Sequence, residues 1–138
     1  MKAKSRFLAL LFILCLFWAP AAYTAEEHFI DLGDGTVKDK LTGLIWIKDP
    51  QSAPSTAGGM LWIQARNACD ELVYGGVGPN AWKLPGISQL QSLVDEVNHS
   101  PRIDTRAFSA LGEPYWSKTE DSGAGPKVWT LNFANGEL

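Results

Sequence analysis

Four regimes of apolar patterning succeed one another along the chain. Phe7 to Trp18 is unbroken apolar sequence. From Phe29 to Lys48 apolar residues come in short extended stretches between turn signals, from Leu61 to Val97 they recur every three or four positions, and from Tyr115 to Phe133 they alternate again. In FIDLGDGTVKDKLTGLIWIK, Gly33-Asp34-Gly35 and Leu41-Thr42-Gly43 supply the positive φ angles of tight turns, which predicts strands near 29–32, 36–39 and 44–48. A Pro/Ser/Gly-rich loop without apolar period follows from Asp49 to Gly59. Leu61, Ala65, Ala68, Cys69 and Leu72 then fall at helical spacing, predicting an amphipathic helix over 60–73 that Tyr74-Gly75-Gly76 ends. Ile87, Leu90, Leu93, Val94 and Val97 trace a second helix over 87–97, with Pro85 just ahead of it. The stretch from Asn98 to Gly112 is irregular, a loop pinned to the core by Ile103 and Phe108. Tyr115–Thr119 and the alternation of Trp129, Leu131 and Phe133 predict strands before an Asn135-Gly136 turn. Strands, two helices and strands again make one small α+β domain with an antiparallel sheet built of hairpins.

The first apolar run sets the compartment. Lys2, Lys4 and Arg6 precede it, and Ala19-Pro20-Ala21-Ala22-Tyr23-Thr24-Ala25 follows it, the order of a cleavable secretory signal over residues 1–25. A permanent anchor needs roughly 20 consecutive apolar residues, and Pro20 interrupts this run well before that. Cleavage is expected between Ala22 and Glu26, leaving residues 26–138 as one exported domain, in the periplasm or at the cell surface, with no stable membrane anchor. Cys15 leaves with the signal, so Cys69 is unpaired in what remains.

Removal of the signal makes the protein more acidic. It holds three of the 12 Lys and Arg and none of the 15 Asp and Glu, so residues 26–138 carry 9 − 15 = −6. The remaining cations are scattered from Lys38 to Lys127 without a basic run, which argues against a nucleic-acid partner. A cofactor-binding loop is not in the sequence either: no Gly-rich segment leads into Lys-Ser or Lys-Thr.

At this point the order of motifs becomes specific. DLGDGTVKDKLTGLIWIK, a helix, AWKLPGISQLQSLVD, YWSKTE and VWTLNFANGE follow one another. The series resembles the bacterial domain family of unknown function typified by the C-terminal domain of the Legionella collagen-like adhesin, with its "DNGDGTVTDxxTGLMW", "WRLPxxxEL" and "YWSST" segments, over roughly residues 29–136. The Trp-x-Leu-Pro segment leading into a helix is also similar to its counterpart in C-type-lectin-like folds. The resemblance implies that architecture and a role in adhesion, with a glycan or an envelope protein as partner. It further implies one more strand beyond the Asn-Gly turn, carrying a cysteine that would pair with Cys69, so the fold is expected to lack its last strand. The other reading of Cys69 is a small buried hydrophobe.

Reactive chemistry is sparse. His28 and His99 read as exposed loop histidines outside any metal-ligand spacing. Cys69, mid-helix beside Ala68 and Leu72, reads as packing rather than as a nucleophile for His99. Asp31, Asp34 and Asp39 lack the ligand spacing of a calcium loop and read as turn formers. Glu113-Pro114-Tyr115 lacks the Asn of sugar-binding lectin motifs. Trp46, Trp82, Trp116 and Trp129 read as core, and Trp62, at the helix start, as either core edge or surface. Candidate binding residues are therefore Trp62, His99, Arg102 and Glu113, with the loops Asn98–Glu113 and Lys118–Lys127 as the segments free to vary. The function expected is a non-catalytic binding or adhesion module. An exported enzyme or maturation factor on a lectin-like scaffold, or a component of a surface assembly, are the alternatives.

Overall fold

The computed structural model describes residues 27–109, 112–123 and 127–138. The signal read in residues 1–25 lies outside them. Strands β1 (Phe29–Asp31), β2 (Thr36–Asp39) and β3 (Ile45–Ile47) form one antiparallel sheet in chain order. Helices α1 (Trp62–Glu71) and α2 (Ile87–Gln91) follow, and β4 (Pro114–Asp121) pairs antiparallel with β5 (Lys127–Asn132) in a second sheet. The domain is thus α+β, with two small antiparallel sheets in place of the single sheet expected. Among the described residues no helix is long and apolar enough to cross a membrane.

Acidic side chains build both turns of the first sheet. Asp31 accepts from the Gly33 amide and Asp34 from the Thr36 amide and hydroxyl, closing the β1–β2 turn. Asp39 accepts from the amides of Leu41 and Thr42 and from the Thr42 hydroxyl, closing the β2–β3 turn. These are Asx-type turns, in which the carboxylate replaces a backbone acceptor. Gly35 is held at φ +87°, and a β-carbon there would lie 2.2 Å from the Tyr74 hydroxyl oxygen. The segment after α1 therefore packs directly onto the first hairpin, and Thr36 beneath it is buried.

The core joins elements distant in sequence. Val37 from β2, Leu90 and Leu93 from α2 and the turn after it, Leu131 from β5 and Phe133 beyond it are all buried with Ile103 and Phe108. The latter two pin the irregular 98–109 segment, as their positions in the sequence suggested. Phe29 meets Phe108 edge to face at 5.0 Å, and Tyr115 meets Phe133 at 5.5 Å, geometries favoured by the ring quadrupoles.

Helix α2 is shorter than its apolar stripe predicted, ending at Gln91 instead of residue 97. The Leu93 and Val94 amides donate to the carbonyls three residues back, tightening the last turn. Asp95 then accepts from the Val97 and Asn98 amides, which turns the chain away and leaves Val97 82% exposed. Helix α1 stands apart from the core cluster. Its buried helical residue is Ala65, Leu72 closes the core side just after it, and Leu61, expected on the apolar face, is exposed.

Candidate functional site

Strand β4 is irregular where the two helices meet it. Trp116 pairs with Thr130 and Glu120 with Val128, so two extra residues of β4 bulge out between those pairs. The bulge gathers three segments. The Lys118 amide donates to the Pro85 carbonyl at 2.8 Å, and the Thr119 hydroxyl accepts from the Ile87 amide at 3.0 Å, satisfying a first-turn donor of α2 that Gly86 has no side chain to cap. The Trp62 indole donates to the Ser117 carbonyl at 2.9 Å, and the Trp116 indole donates to the Met60 carbonyl at 2.9 Å. The Trp-Lys-Leu-Pro and Tyr-Trp-Ser-Lys-Thr segments are thus one structural joint.

The Trp62 hydrogen bond ties α1 to β4, and a groove of about 330 Å³ lies open between them. Trp62, Arg66 and Asp70 line it from α1, Lys83 and Leu84 from the segment before α2, and Lys118 and Glu120 from β4. The Arg66 guanidinium carbon lies 5.9 Å from the Trp62 ring centroid, a cation–π contact. Lys83 holds Asp70 at 2.7 Å, and that hydrogen bond keeps the Asp70 carboxyl below its ordinary range. Lys118 and Glu120 are exposed, and among the described residues neither side chain has a hydrogen-bond or ion-pair partner. Three cations separated by up to 52 residues in sequence therefore meet in one place, a basic cluster that the linear sequence does not display.

The sequence-derived candidates do not converge. Trp62 lines the groove, with its N–H committed to β4. Arg102 is a structural tie: its amide donates to the Phe133 carbonyl at 2.6 Å, its carbonyl accepts from the Asp95 amide, and its guanidinium lies 3.6 Å from Glu96. His99 and Glu113 are exposed and do not line the groove. The Asn98–Glu113 segment contributes to a second hollow of about 370 Å³ lined by Asp95, Val97, Asn98, Asp104, Thr105 and Arg106. Most of its polar groups are spent on one another: Arg106 grips Asp104 through two nitrogens, and Asn98 donates to Asp95. Of the two variable segments, Lys118–Lys127 reaches the groove, through Lys118 and Glu120. Arg66, Asp70 and Lys83 carry no mark in the sequence that sets them apart from other charged residues of α1 and of the segment before α2.

Three further expectations are corrected. His28 is no free loop histidine, because its Nε2 lies 2.7 Å from the Asp39 carboxylate and its ring stacks on Phe29 at 4.1 Å. Trp129 is not core but 38% exposed, since it falls on the outward side of β5 between the buried Leu131 and the strand end. Trp46, Trp82 and Trp116 are part-buried; of these Trp46 packs against the core cluster, as expected, and Trp82 and Trp116 lie outside that cluster. Trp82 donates to the Tyr74 carbonyl, whereas the Trp46 N–H is buried without a partner.

Cys69 is free and half-buried. Burial pushes its thiol up, Asp70 adds to the effect and Lys83 opposes it, the reverse of what activates a nucleophilic cysteine. Among the described residues no three His, Cys, Asp or Glu side chains are grouped so as to hold a metal.

No curated protein and no solved structure matches the chain. The family model of the Lcl C-terminal domain matches residues 35–138, which takes in the second and third strands, both helices, the β4 bulge and every residue of the groove. The chain belongs to the Lcl C-terminal domain family.

Proposed function

We propose that this protein is an exported, non-catalytic binding module that holds a saccharide of a surface glycan in the α1–β4 groove. The observation that carries the proposal is the groove itself: an indole, three cations and two carboxylates around a space of about 330 Å³. That volume sits at the low end of small-ligand sites and suits one or two sugar rings. Indoles offer apolar faces to sugar rings, and the surrounding charged groups supply hydrogen bonds that fix orientation. Membership in a family typified by an adhesin domain and the lectin-like Trp-x-Leu-Pro segment favour the same reading, as does the leader-like N-terminus.

A glycan array followed by thermal-shift titration tests it. Binding sugars should raise the melting temperature, and the rise should grow with the logarithm of sugar concentration above Kd. Arg66→Ala and Lys118→Ala should each abolish that rise while leaving the unliganded melt within about 4 °C, the shift that surface changes of about 0.5 kcal/mol make. Cys69→Ala and His99→Ala should leave binding intact. Retained binding in both groove variants would move the site elsewhere.

A further inference from the structure

We infer that the α1–β4 groove selects a small unit bearing both an amine and a carboxylate, in preference to a uniformly polyanionic chain; this rests on the groove being the binding site proposed above. The charges decide it. Arg66, Lys83 and Lys118 against Asp70 and Glu120 give the groove +3 − 2 = +1, within a stretch, residues 26–138, of net charge −6. Lys83 and Asp70 already neutralise each other at 2.7 Å. Arg66 is held over Trp62, and Lys118 and Glu120 remain.

Those last two lie two residues apart on β4, Lys118 in the bulge and Glu120 where pairing resumes, both exposed, and they line the same groove without closing on each other. An unpaired ammonium next to an unpaired carboxylate is the complement of a zwitterion. The ligand's carboxylate is taken by Lys118 and Arg66 through charge-assisted hydrogen bonds, and its ammonium by Glu120. A polysulfated chain would meet the same cations, but it would also place sulfates against Glu120 and Asp70, and juxtaposed like charges discriminate strongly against a wrong partner. Leu84 and Trp62, one face of which carries the Arg66 guanidinium, are the apolar residues lining the groove.

Four monosaccharides separate the two charges: muramic acid carries both, N-acetylmuramic acid only the carboxylate, glucosamine only the amine, and glucose neither. Each is titrated into the purified protein while the indole N–H resonance of Trp62 is followed by NMR, with a heparin-type polysulfate as a fifth probe. Muramic acid should bind about tenfold tighter than N-acetylmuramic acid or glucosamine, the worth of one charge-assisted contact, about a hundredfold tighter than glucose, which lacks both, and tighter than the polysulfate. Glu120→Gln should remove the advantage that the amine confers, and Lys118→Met the advantage of the carboxylate, with unchanged melting temperatures showing that both variants fold. Equal or tighter binding of N-acetylmuramic acid or the polysulfate would overturn the inference and leave the saccharide-binding proposal standing. If no sugar on the array or among these probes moves the Trp62 resonance, both fall.

Discussion

Asp39 shows how much one buried carboxylate can hold. It is 1% exposed, and its acceptors take the amides of Leu41 and Thr42, the Thr42 hydroxyl and His28. Burial alone would raise its pKa, but the Thr42 hydroxyl, the two amides and His28 outweigh it and keep the group below its ordinary value of 3.8. A depressed folded pKa contributes stability that is present above the unfolded value and is lost as pH falls through the folded one. Stability should therefore drop below about pH 4. Asp39→Asn should lower stability at pH 7 by about 1–3 kcal/mol and flatten that acid limb, measured by urea unfolding between pH 2 and 7. The tryptophans offer a second comparison at this scale. Trp116→Phe and Trp62→Phe each leave a carbonyl without its donor, at about 1 kcal/mol. Trp46→Phe deletes a buried N–H that has no partner, and should cost less than either in the same unfolding assay. A larger loss for Trp46→Phe would mean that its N–H is satisfied in solution.

At the scale of elements, the bulge in β4 joins the parts of the domain. It caps α2 through Thr119, receives α1 through Ser117 and pairs with the Pro85 carbonyl through Lys118. Thr119→Val keeps the shape and removes the acceptor, so the melting temperature should fall by the equivalent of about 1 kcal/mol, the usual worth of an N-cap. Gly75 is the corresponding point on the other side. It sits at φ +59°, and a β-carbon would lie 2.5 Å from the Thr36 Cγ2 atom. Gly75→Ala should cost about 1–3 kcal/mol through backbone strain and overpacking together, whereas alanine at Gly78, where a β-carbon meets nothing within 4 Å, should be near neutral. Calorimetry of the pair separates local crowding from any general effect of removing glycine.

For the molecule as a whole, the acidic balance and the local basic groove make a prediction about salt. Surface charges are screened beyond roughly 8 Å at physiological ionic strength, so saccharide binding through Arg66 and Lys118 should weaken severalfold between 20 and 500 mM NaCl. Affinity independent of salt would assign the energy to Trp62 and hydrogen bonds instead. The core makes a complementary prediction: Leu131 is fully buried among side chains from both sheets and α2, and Leu131→Ala should cost about 2–5 kcal/mol while leaving the groove chemistry unchanged.

The sequence by itself determined the element order, the α+β class, both Asp-built turns, the loop pinned by Ile103 and Phe108, and the family. Those features rest on local rules: apolar period, turn chemistry, and motifs read in line. Tertiary structure decided how α2 starts, because the acceptor for its first amide is Thr119, 32 residues away, while the local turn built by Asp95 carries the chain away after it. It also decided that the strands form two sheets, that His28 serves Asp39, and that Trp129 faces outward. The groove belongs wholly to the tertiary level. Arg66, Lys83 and Lys118 lie far apart along the chain, and charges cluster by distance in space, which only the packing of α1 against a bulged β4 sets.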